Sequence, residues 1–197
     1  MQGRVELARI LAVTNQKGGV GKTTTAVNLS ACLAALGQRV LMIDLDPQGN
    51  ATTGCGVVKR EALPTVYQIL IGRSTLVDAR IKTEFGFDIL PANRELAGAE
   101  VELIEMGGRE FRLRDALAPV LGDYDFILMD CPPALNMLTV NGLVAAEAVM
   151  IPMQCEYYAL EGLTDLVATL KKVRANLNSR LAIEGLLRTL FDPRSTL

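Results

Sequence analysis

The stretch QKGGVGKTTT, Gln16 to Thr25, matches the phosphate-binding loop pattern G-x-x-x-x-G-K-[ST] at every position but the first. Gln16 stands where the pattern has glycine, and Lys17 adds a second lysine ahead of Lys22, the lysine of the pattern. The apolar run LAVT (11–14) precedes the stretch, and a helical pattern begins at Lys22. A strand, a glycine-rich turn and a helix in this order predict a functional phosphate-binding loop.

The chemistry of this loop follows from its residue types. Its glycines let the backbone pass close to phosphate groups with the N–H groups turned inward, and the helix N-terminus adds partial positive charge. We expect Lys22 to reach the β- and γ-phosphates of a nucleotide and the Thr23 hydroxyl to ligate Mg²⁺. A glycine-rich turn without function is the alternative. The predicted nucleotide-binding residues are Gly18, Gly19, Val20, Gly21, Lys22, Thr23 and Thr24.

Apolar, β-branched runs alternate with segments of helical period, which is typical of a parallel sheet covered by helices on both faces. We therefore predict a doubly wound, mostly parallel α/β fold of the P-loop NTPase type. The clearest helices run from Lys22 to about Leu36 and from about Glu161 to Ala175. Residues 48–86 are predicted to be loops with short helices. The predicted strands are Arg9–Thr14, Arg39–Leu45, Phe87–Ala92, Phe126–Asp130, Ala148–Met153 and Glu184–Phe191.

Length and composition predict a single domain, residues 1–197, with a substantial core, since 50% of the residues are hydrophobic and 21% are charged. No apolar run reaches the ~18 residues of a membrane helix, and the first residues lack the apolar core of a secretion signal. We therefore expect a cytoplasmic protein that does not enter the membrane. Histidine is absent, so we expect buried free thiols rather than a zinc site or a disulfide framework at the four scattered cysteines, Cys32, Cys55, Cys131 and Cys155.

A nucleotide-bound Mg²⁺ needs carboxylates at the ends of strands that neighbour the loop. MIDLDPQGN (42–50) puts Asp44 at a strand end and Asp46 just beyond it, and FILMDCPP (126–133) puts Asp130 at another strand end. An aspartate at such a position can also cap a helix or lie in a solvated turn, so each one is ambiguous by itself. Their combination with the loop favours a magnesium site.

Four ordered blocks carry a family resemblance from about Ile10 to the last residue. KGGVGKTTT, MIDLDPQGN, DCPP and IPMQCEYYALEGL together resemble the ParA/Soj family of chromosome and plasmid partition ATPases, within the deviant-Walker class that includes MinD and the nitrogenase iron protein. The resemblance implies an ATPase that uses ATP, ADP and Mg²⁺ and pairs face to face with a second copy across two ATP molecules. It also implies that Lys17 reaches the nucleotide of the partner subunit, which would explain the second lysine.

The same resemblance assigns roles to the acidic residues. Asp46 would orient or polarise the attacking water, and Asp130 would hold the Mg²⁺ shell, while Asp44 would at most support them. Because the site would be complete only in the dimer, slow basal turnover is expected. Lys17 joins the nucleotide-binding residues named above. The predicted catalytic residues are Lys17, Lys22 and Asp46, and the predicted metal site is Thr23, Asp46 and Asp130.

The resemblance further implies sequence-independent DNA binding by the ATP dimer, a nucleoid-associated location, and a ParB-like centromere-binding partner that stimulates hydrolysis and so releases the dimer. From Leu166 onward, basic residues exceed acidic ones by four. Such an excess fits phosphate contacts, and it is also typical of a solvated surface. The charged residues are Lys171, Lys172, Arg174, Arg180, Arg188 and Arg194 against Glu184 and Asp192.

Three other interpretations stay open. A MinD-like positioning ATPase would need an amphipathic C-terminal helix, and an iron protein would need paired cysteines to share a [4Fe–4S] cluster, for which Cys131 is the one candidate. A regulator could bind ATP or ADP without turnover. The chain stops at LFDPRSTL (190–197), just after a predicted inner strand, so we expect a C-terminally shortened form that lacks parts of the adenine pocket and of the DNA-binding surface.

Overall fold

The structure, a computed structural model, describes residues 7–155, 159–191 and 194. The described strands form one seven-stranded sheet. All neighbouring strands are parallel except the pair Ile81–Lys82 and Asp88–Leu90, which is antiparallel. The strands are β1 (Arg9–Val13), β2 (Val40–Asp44), β3 (Ile81–Lys82), β4 (Asp88–Leu90), β5 (Phe126–Asp130), β6 (Ala148–Gln154) and β7 (Ala182–Thr189). Their spatial order is β3-β4-β2-β5-β1-β6-β7. The predicted mostly parallel α/β fold is confirmed.

The helices also follow the predictions, with one addition to the strands. The two clearest predicted helices are present, and residues 48–86 contain short helices as expected, together with the unpredicted edge strand β3. Two 3₁₀ turns, Arg109–Phe111 and Ala118–Val120, lie in the connection before β5. The α-helices are α1 (Lys22–Ala35), α2 (Asn50–Gly54), α3 (Val66–Leu70), α4 (Leu76–Ala79), α5 (Leu96–Ile104), α6 (Arg112–Leu117), α7 (Met137–Ala145) and α8 (Ala159–Asn176).

Two buried apolar clusters cover the two faces of the sheet. In β2, Leu41 and Ile43 belong to the larger cluster, while Val40 and Met42 belong to the smaller one. Because successive strand residues point to opposite faces, the clusters lie on opposite sides of the sheet. Residues of α1 and α2 pack in the smaller cluster, and residues of α3 to α8 pack in the larger one. All five residues of β2 are buried, and its first four residues, which lie in the two clusters, form a continuous apolar run.

The sheet brings the predicted acidic residues together at the carboxyl ends of its strands. β1 lies between β5 and β6, and β5 also pairs with β2. In this register Asp130 is opposite Val13 on one side and opposite Asp44 on the other. The carboxyl ends of β1, β2 and β5 therefore meet, and the loop that follows β1 starts at this point. Ligands of open parallel sheets bind in such a position, at the carboxyl ends of the strands where the strand order reverses.

The last predicted strand, Glu184–Phe191, corresponds to β7. β7 lies at the edge of the described sheet and pairs with β6. Its leucines Leu186 and Leu187 are 52% and 40% exposed. Residues 156–158 of the fourth resemblance block, and Asp192, lie outside the described residues. Within the part of the chain that the structure describes, no helix has both the length and the apolar character to cross a membrane.

Candidate functional site

The loop between β1 and α1 is fixed at its start by Asn15. Asn15 is 7% exposed, and its Nδ2 donates to the carbonyl oxygen of Pro152 on β6 at 2.7 Å. Its Oδ1 accepts a hydrogen bond from the backbone N–H of Lys17 at 3.0 Å. Because the amide is bound on both sides, it ties the first residues of the loop to the neighbouring strand.

Two glycines of the loop are required by the backbone. Gly19 has a φ of 74° and Gly21 a φ of 88°, in the left-handed region that strains other residues. Gly18 has no such φ, and a Cβ atom added to Gly18 would meet no heavy atom within 4 Å. Neither conformation nor crowding within the chain therefore demands glycine at that position. The missing side chain leaves the loop backbone open to close approach by a ligand.

Lys22 is the first residue of α1 and is 8% exposed. Its Nζ donates to the carbonyl oxygen of Lys17 at 3.0 Å, so the ammonium group lies against the loop. Burial lowers the pKa of Lys22, and the negative charges of Asp130 and Asp46 act in the opposite direction. An ammonium group held here, where water screens it little, attracts a polyanion strongly.

Thr23 and Asp130 are brought together as predicted. The Thr23 hydroxyl donates to Asp130 Oδ2 at 2.7 Å. Asp130 is 1% exposed, and its Oδ1 has no hydrogen-bond partner among the described residues. Burial raises the pKa of Asp130 to about 7, the nearby Asp44 and Asp46 raise it further, and the Thr23 hydrogen bond opposes them. A cation beside Oδ1 would compensate this buried negative charge.

The residues at the carboxyl ends of these strands and in the loop fit a hydrated Mg²⁺. In the described residues, no group of three or more His, Cys, Asp or Glu side chains is arranged to hold a metal ion. Mg²⁺ does not need such a group, because it keeps several waters and takes one or two carboxylates together with phosphate oxygens. The Thr23 hydroxyl and the unbonded Oδ1 of Asp130 match this ligand pattern. Asp46, the third predicted metal residue, is partly buried and close enough to act on the pKa of Asp130.

Asp44 and Asp46 differ sharply in their surroundings. Asp44 is fully buried and accepts hydrogen bonds from the backbone N–H of Asp46 at 3.1 Å and from the backbone N–H and the hydroxyl of Thr52 at 2.7 Å each. Burial raises the pKa of Asp44 to about 6, and the Thr52 hydrogen bonds oppose this. Asp46 is partly buried, and its Oδ1 accepts from the backbone N–H of Gln48 at 2.9 Å. Asp44 is thus a buried hydrogen-bond acceptor, and Asp46 lies nearer the surface.

The other predicted loop residues have distinct positions. Lys17 is partly buried, and its backbone is fixed by Asn15 at the N–H and by Lys22 at the carbonyl. Val20 is 1% exposed, whereas the side chain of Thr24 is exposed on the first turn of α1. The second lysine therefore extends from a fixed point of the loop.

Sequence reasoning missed three polar residues around the loop and the carboxyl ends of the strands: Asn15, Thr52 and Thr189. A polar residue directly after a strand was the available signal for Asn15, and the run NATTG (50–54) after Asp46 was the signal for Thr52. No local pattern indicates Thr189, because its contact with the loop spans 169 positions of the chain.

Thr189 links the edge strand to the loop. Its hydroxyl donates to the carbonyl oxygen of Val20 at 2.8 Å, and its methyl group lies 3.5 Å from the position that a Cβ atom on Gly21 would take. β7 therefore supports the loop at the residues that lead into α1.

We expect Thr189→Val to weaken nucleotide binding by about fivefold, because the loop loses one hydrogen bond worth about 1 kcal/mol. Thr189→Ser keeps the hydroxyl and should bind as the unaltered chain does. Titration calorimetry with a non-hydrolysable ATP analogue measures both affinities. Equal affinities of the Val and Ser variants would contradict a supporting role of Thr189.

The basic residues predicted near the C-terminus lie at the surface. Lys171, Lys172 and Arg174 are exposed on the last turns of α8. Arg180 forms an exposed ion pair with Glu147, and Arg188 lies over the ring of Phe191 at 4.8 Å. Glu184, counted against the basic excess, is paired with Arg9. Five of the six predicted basic residues are thus exposed on α8, on β7 or in the segment between them.

The cysteines are free, as expected, but only two are buried. Cys55 and Cys131 are 2% and 1% exposed, whereas Cys32 is exposed on α1 and Cys155 is partly exposed. The prediction of buried thiols was wrong for Cys32, because its position on α1 faces away from the sheet. Burial raises the pKa of Cys131, and the neighbouring Asp130 raises it further, so this thiol stays protonated.

Comparison with known proteins shows which family the chain belongs to. A family model described as AAA domain matches residues 8–183. The chromosome partitioning protein ParA of Caulobacter vibrioides (strain NA1000 / CB15N) is 53% identical over 192 residues, which cover 96% of this chain and 72% of that protein. The sporulation initiation inhibitor protein Soj of Bacillus subtilis (strain 168) is 52% identical over 192 residues, which cover 97% of this chain and 76% of that protein.

A solved structure supports the same assignment of the fold. The crystal structure of cobyrinic acid a,c-diamide synthase from Mycobacterium smegmatis with bound ATP analogue and magnesium has a TM-score of 0.94 and 44% identity to this chain. The match covers 96% of this chain and 78% of that one. Since the family model spans most of the chain and the ParA and Soj relatives match nearly all of it, the chain belongs to the ParA/Soj family of chromosome-partitioning ATPases.

Proposed function

We propose that this chain binds ATP with Mg²⁺, pairs with a second copy on ATP, and hydrolyses ATP slowly to drive chromosome or plasmid partition. The observation that carries the proposal is the loop with the buried Lys22 and the Thr23–Asp130 pair, found in a chain of this family. The ATP analogue and magnesium bound to the Mycobacterium smegmatis protein support the same ligands here.

We assign a task in the reaction to Lys22, Thr23, Asp130 and Asp46. Lys22 and the loop N–H groups neutralise and hold the phosphates, and Thr23 with Asp130 holds Mg²⁺. When bound, Mg²⁺ would supply positive charge that offsets the negative charge developing on the phosphate. Asp46 accepts a hydrogen bond from the attacking water and directs it at the γ-phosphate. The hydrogen bond from Gln48 to Asp46 supports this task because it restricts the direction of the carboxylate.

Lys17 is proposed to act on the nucleotide of the partner subunit. Its backbone is fixed at the loop, while Lys22 already serves the phosphates of its own subunit. Two unit charges about 4 Å apart at an effective dielectric of about 20 attract by about 4 kcal/mol, so a lysine from each copy would hold the pair together while ATP is present. Loss of the γ-phosphate on hydrolysis removes this attraction and lets the copies separate.

The ATP dimer is proposed to bind DNA without sequence preference and to release it when a ParB-like partner stimulates hydrolysis. The exposed cations of α8 and β7 support DNA binding through phosphate contacts, and a dimer presents them twice. A cytoplasmic protein with this activity would be found on the nucleoid.

Phosphate release and DNA retention test the proposal together. With ATP and Mg²⁺, we expect slow phosphate release that rises severalfold when DNA duplex of arbitrary sequence and a ParB-like centromere-binding protein are both added. Filter binding should retain DNA with ATP but not with ADP, and retention should fall steeply with salt. ATP binding without phosphate release under any of these conditions would favour a regulator without turnover. Equal DNA retention with ATP and with ADP would contradict the proposal that ATP switches DNA binding on.

A further inference from the structure

The buried carboxylate of Asp44 has no direct task in the proposed hydrolysis, yet it is surrounded by donors. Its Oδ2 accepts both the backbone N–H and the hydroxyl of Thr52, and its Oδ1 accepts the backbone N–H of Asp46. Asp44 and Thr52 are both 0% exposed. A buried charge-assisted arrangement of this kind fixes the groups that take part in it.

Thr52 connects three parts of the fold. It lies inside α2, so its hydroxyl does not cap the helix. The hydroxyl donates to Asp44 at the end of β2 and accepts from the backbone N–H of Ala92, beyond β4, at 2.9 Å. None of its hydrogen bonds among the described residues reaches the phosphate-binding loop. Thr52 therefore anchors the carboxyl end of β2 to the segment after β4.

The loop between Asp44 and Thr52 carries Asp46 and leaves it little freedom. The carbonyl oxygen of Asp46 accepts from the N–H of Gly49 at 2.8 Å. Gly49 has a φ of 62°, and a Cβ atom there would lie 2.7 Å from the carbonyl oxygen of Ala92. The loop thus packs directly against the segment that Thr52 holds, and at its Asp46 end the backbone N–H is hydrogen-bonded to Asp44.

We propose that Thr52 is a positioning residue for hydrolysis, which fixes the direction of the Asp46 carboxylate through Asp44 and holds the 46–49 loop against Ala92. The inference rests on the proposed function of Asp46. A water that must attack in line tolerates little misplacement, and a shift of about 1 Å can cost about a hundredfold in rate. ATP affinity does not depend on Asp46 in the same way, since Lys22 and the loop backbone hold the phosphates.

The test compares Thr52→Val, which keeps shape but removes the hydroxyl, with Thr52→Ser, which keeps the hydroxyl. We expect Thr52→Val to lower kcat about tenfold or more and to change the Kd for a non-hydrolysable ATP analogue by less than about twofold. Thr52→Ser should restore kcat to near the value of the unaltered chain. Thr83→Val is the matched control, because Thr83 is a buried threonine with one hydroxyl bond, to Phe87, near the opposite end of the sheet.

A purely structural role of Thr52 would lower the amount of active protein. The rate of phosphate release per mole of total protein and the number of analogue-binding sites would then fall in proportion, as they would in a destabilised Thr83→Val. That outcome, or an unchanged kcat in Thr52→Val, overturns the inference. If Thr52→Val does not fold, Asp44→Asn replaces it, because an amide cannot accept from Asp46 and Thr52 on both sides; its kcat should fall with analogue affinity retained. Absence of turnover in the unaltered chain would instead refute the proposed function.

Discussion

Asp46→Ala is expected to bind ATP and to form dimers on ATP, but to release phosphate at least about a hundredfold more slowly than the unaltered chain. The physical reason is that the change removes the carboxylate proposed to direct the attacking water, while Lys22 and the Thr23–Asp130 pair stay in place. Binding and turnover should therefore separate in this variant. Single-turnover phosphate release and calorimetry with ATP measure the two quantities on one preparation.

Asp115→Ala is the matched control for Asp46→Ala. Asp115 is an exposed aspartate of α6, paired with Arg114 at the surface and remote from the loop. An exposed pair of this kind contributes little to stability, so the control should hydrolyse ATP at the normal rate. Normal turnover by Asp46→Ala would exclude Asp46 as the group that directs water. Loss of ATP binding in Asp46→Ala would show instead that its carboxylate holds the nucleotide.

Lys17→Gln is expected to abolish ATP-dependent dimers and to leave binding of ATP by the single subunit nearly unchanged. An attraction of about 4 kcal/mol corresponds to about a thousandfold in the dissociation constant of the pair for each shared nucleotide, and Lys17→Gln removes the attraction at both nucleotides. Light scattering with and without ATP measures the dimer, and fluorescence of a labelled ATP analogue measures binding by the subunit. Dimers that survive in Lys17→Gln would contradict the role across the interface.

Two further variants separate the lysines of the loop from a general effect of charge. Lys22→Ala should bind ATP poorly and therefore lose dimers for a different reason, since its buried ammonium lies against the loop in its own subunit. Lys82→Gln removes an exposed positive charge from β3, at the far edge of the sheet, and should behave as the unaltered chain. Only Lys17→Gln should retain ATP binding while losing the pair.

The sequence predicted the site where local patterns and sheet geometry coincide. Asp44 and Asp130 each end a buried apolar run, and parallel strands bring such ends to the same edge. Their register, with Asp44 opposite Asp130, confirms that these residues meet. The same reasoning found Thr23 beside Asp130, because the helix that follows the loop must start where β1 ends.

Other features depend on tertiary contacts that no local pattern carries. Thr189 reaches the loop only because β7 adds to β6, and Thr52 reaches Ala92 only because β4 lies beside β2. The exposure of Leu186 and Leu187 also follows from tertiary position, since β7 lies at the edge of the described sheet. Asp44 had no definite predicted role, since its burial and its three donors follow from how the 46–52 segment folds back on β2.

The shared use of two ATP molecules by two copies is tested most directly by a crystal structure of Asp46→Ala with ATP and Mg²⁺, because slowed turnover should keep ATP in the site. We predict two copies face to face, with Nζ of each Lys17 within about 3 Å of a γ-phosphate oxygen in the other subunit's site. Isolated subunits with ATP bound, or a pair in which each Lys17 contacts only the nucleotide of its own subunit, would contradict the proposal.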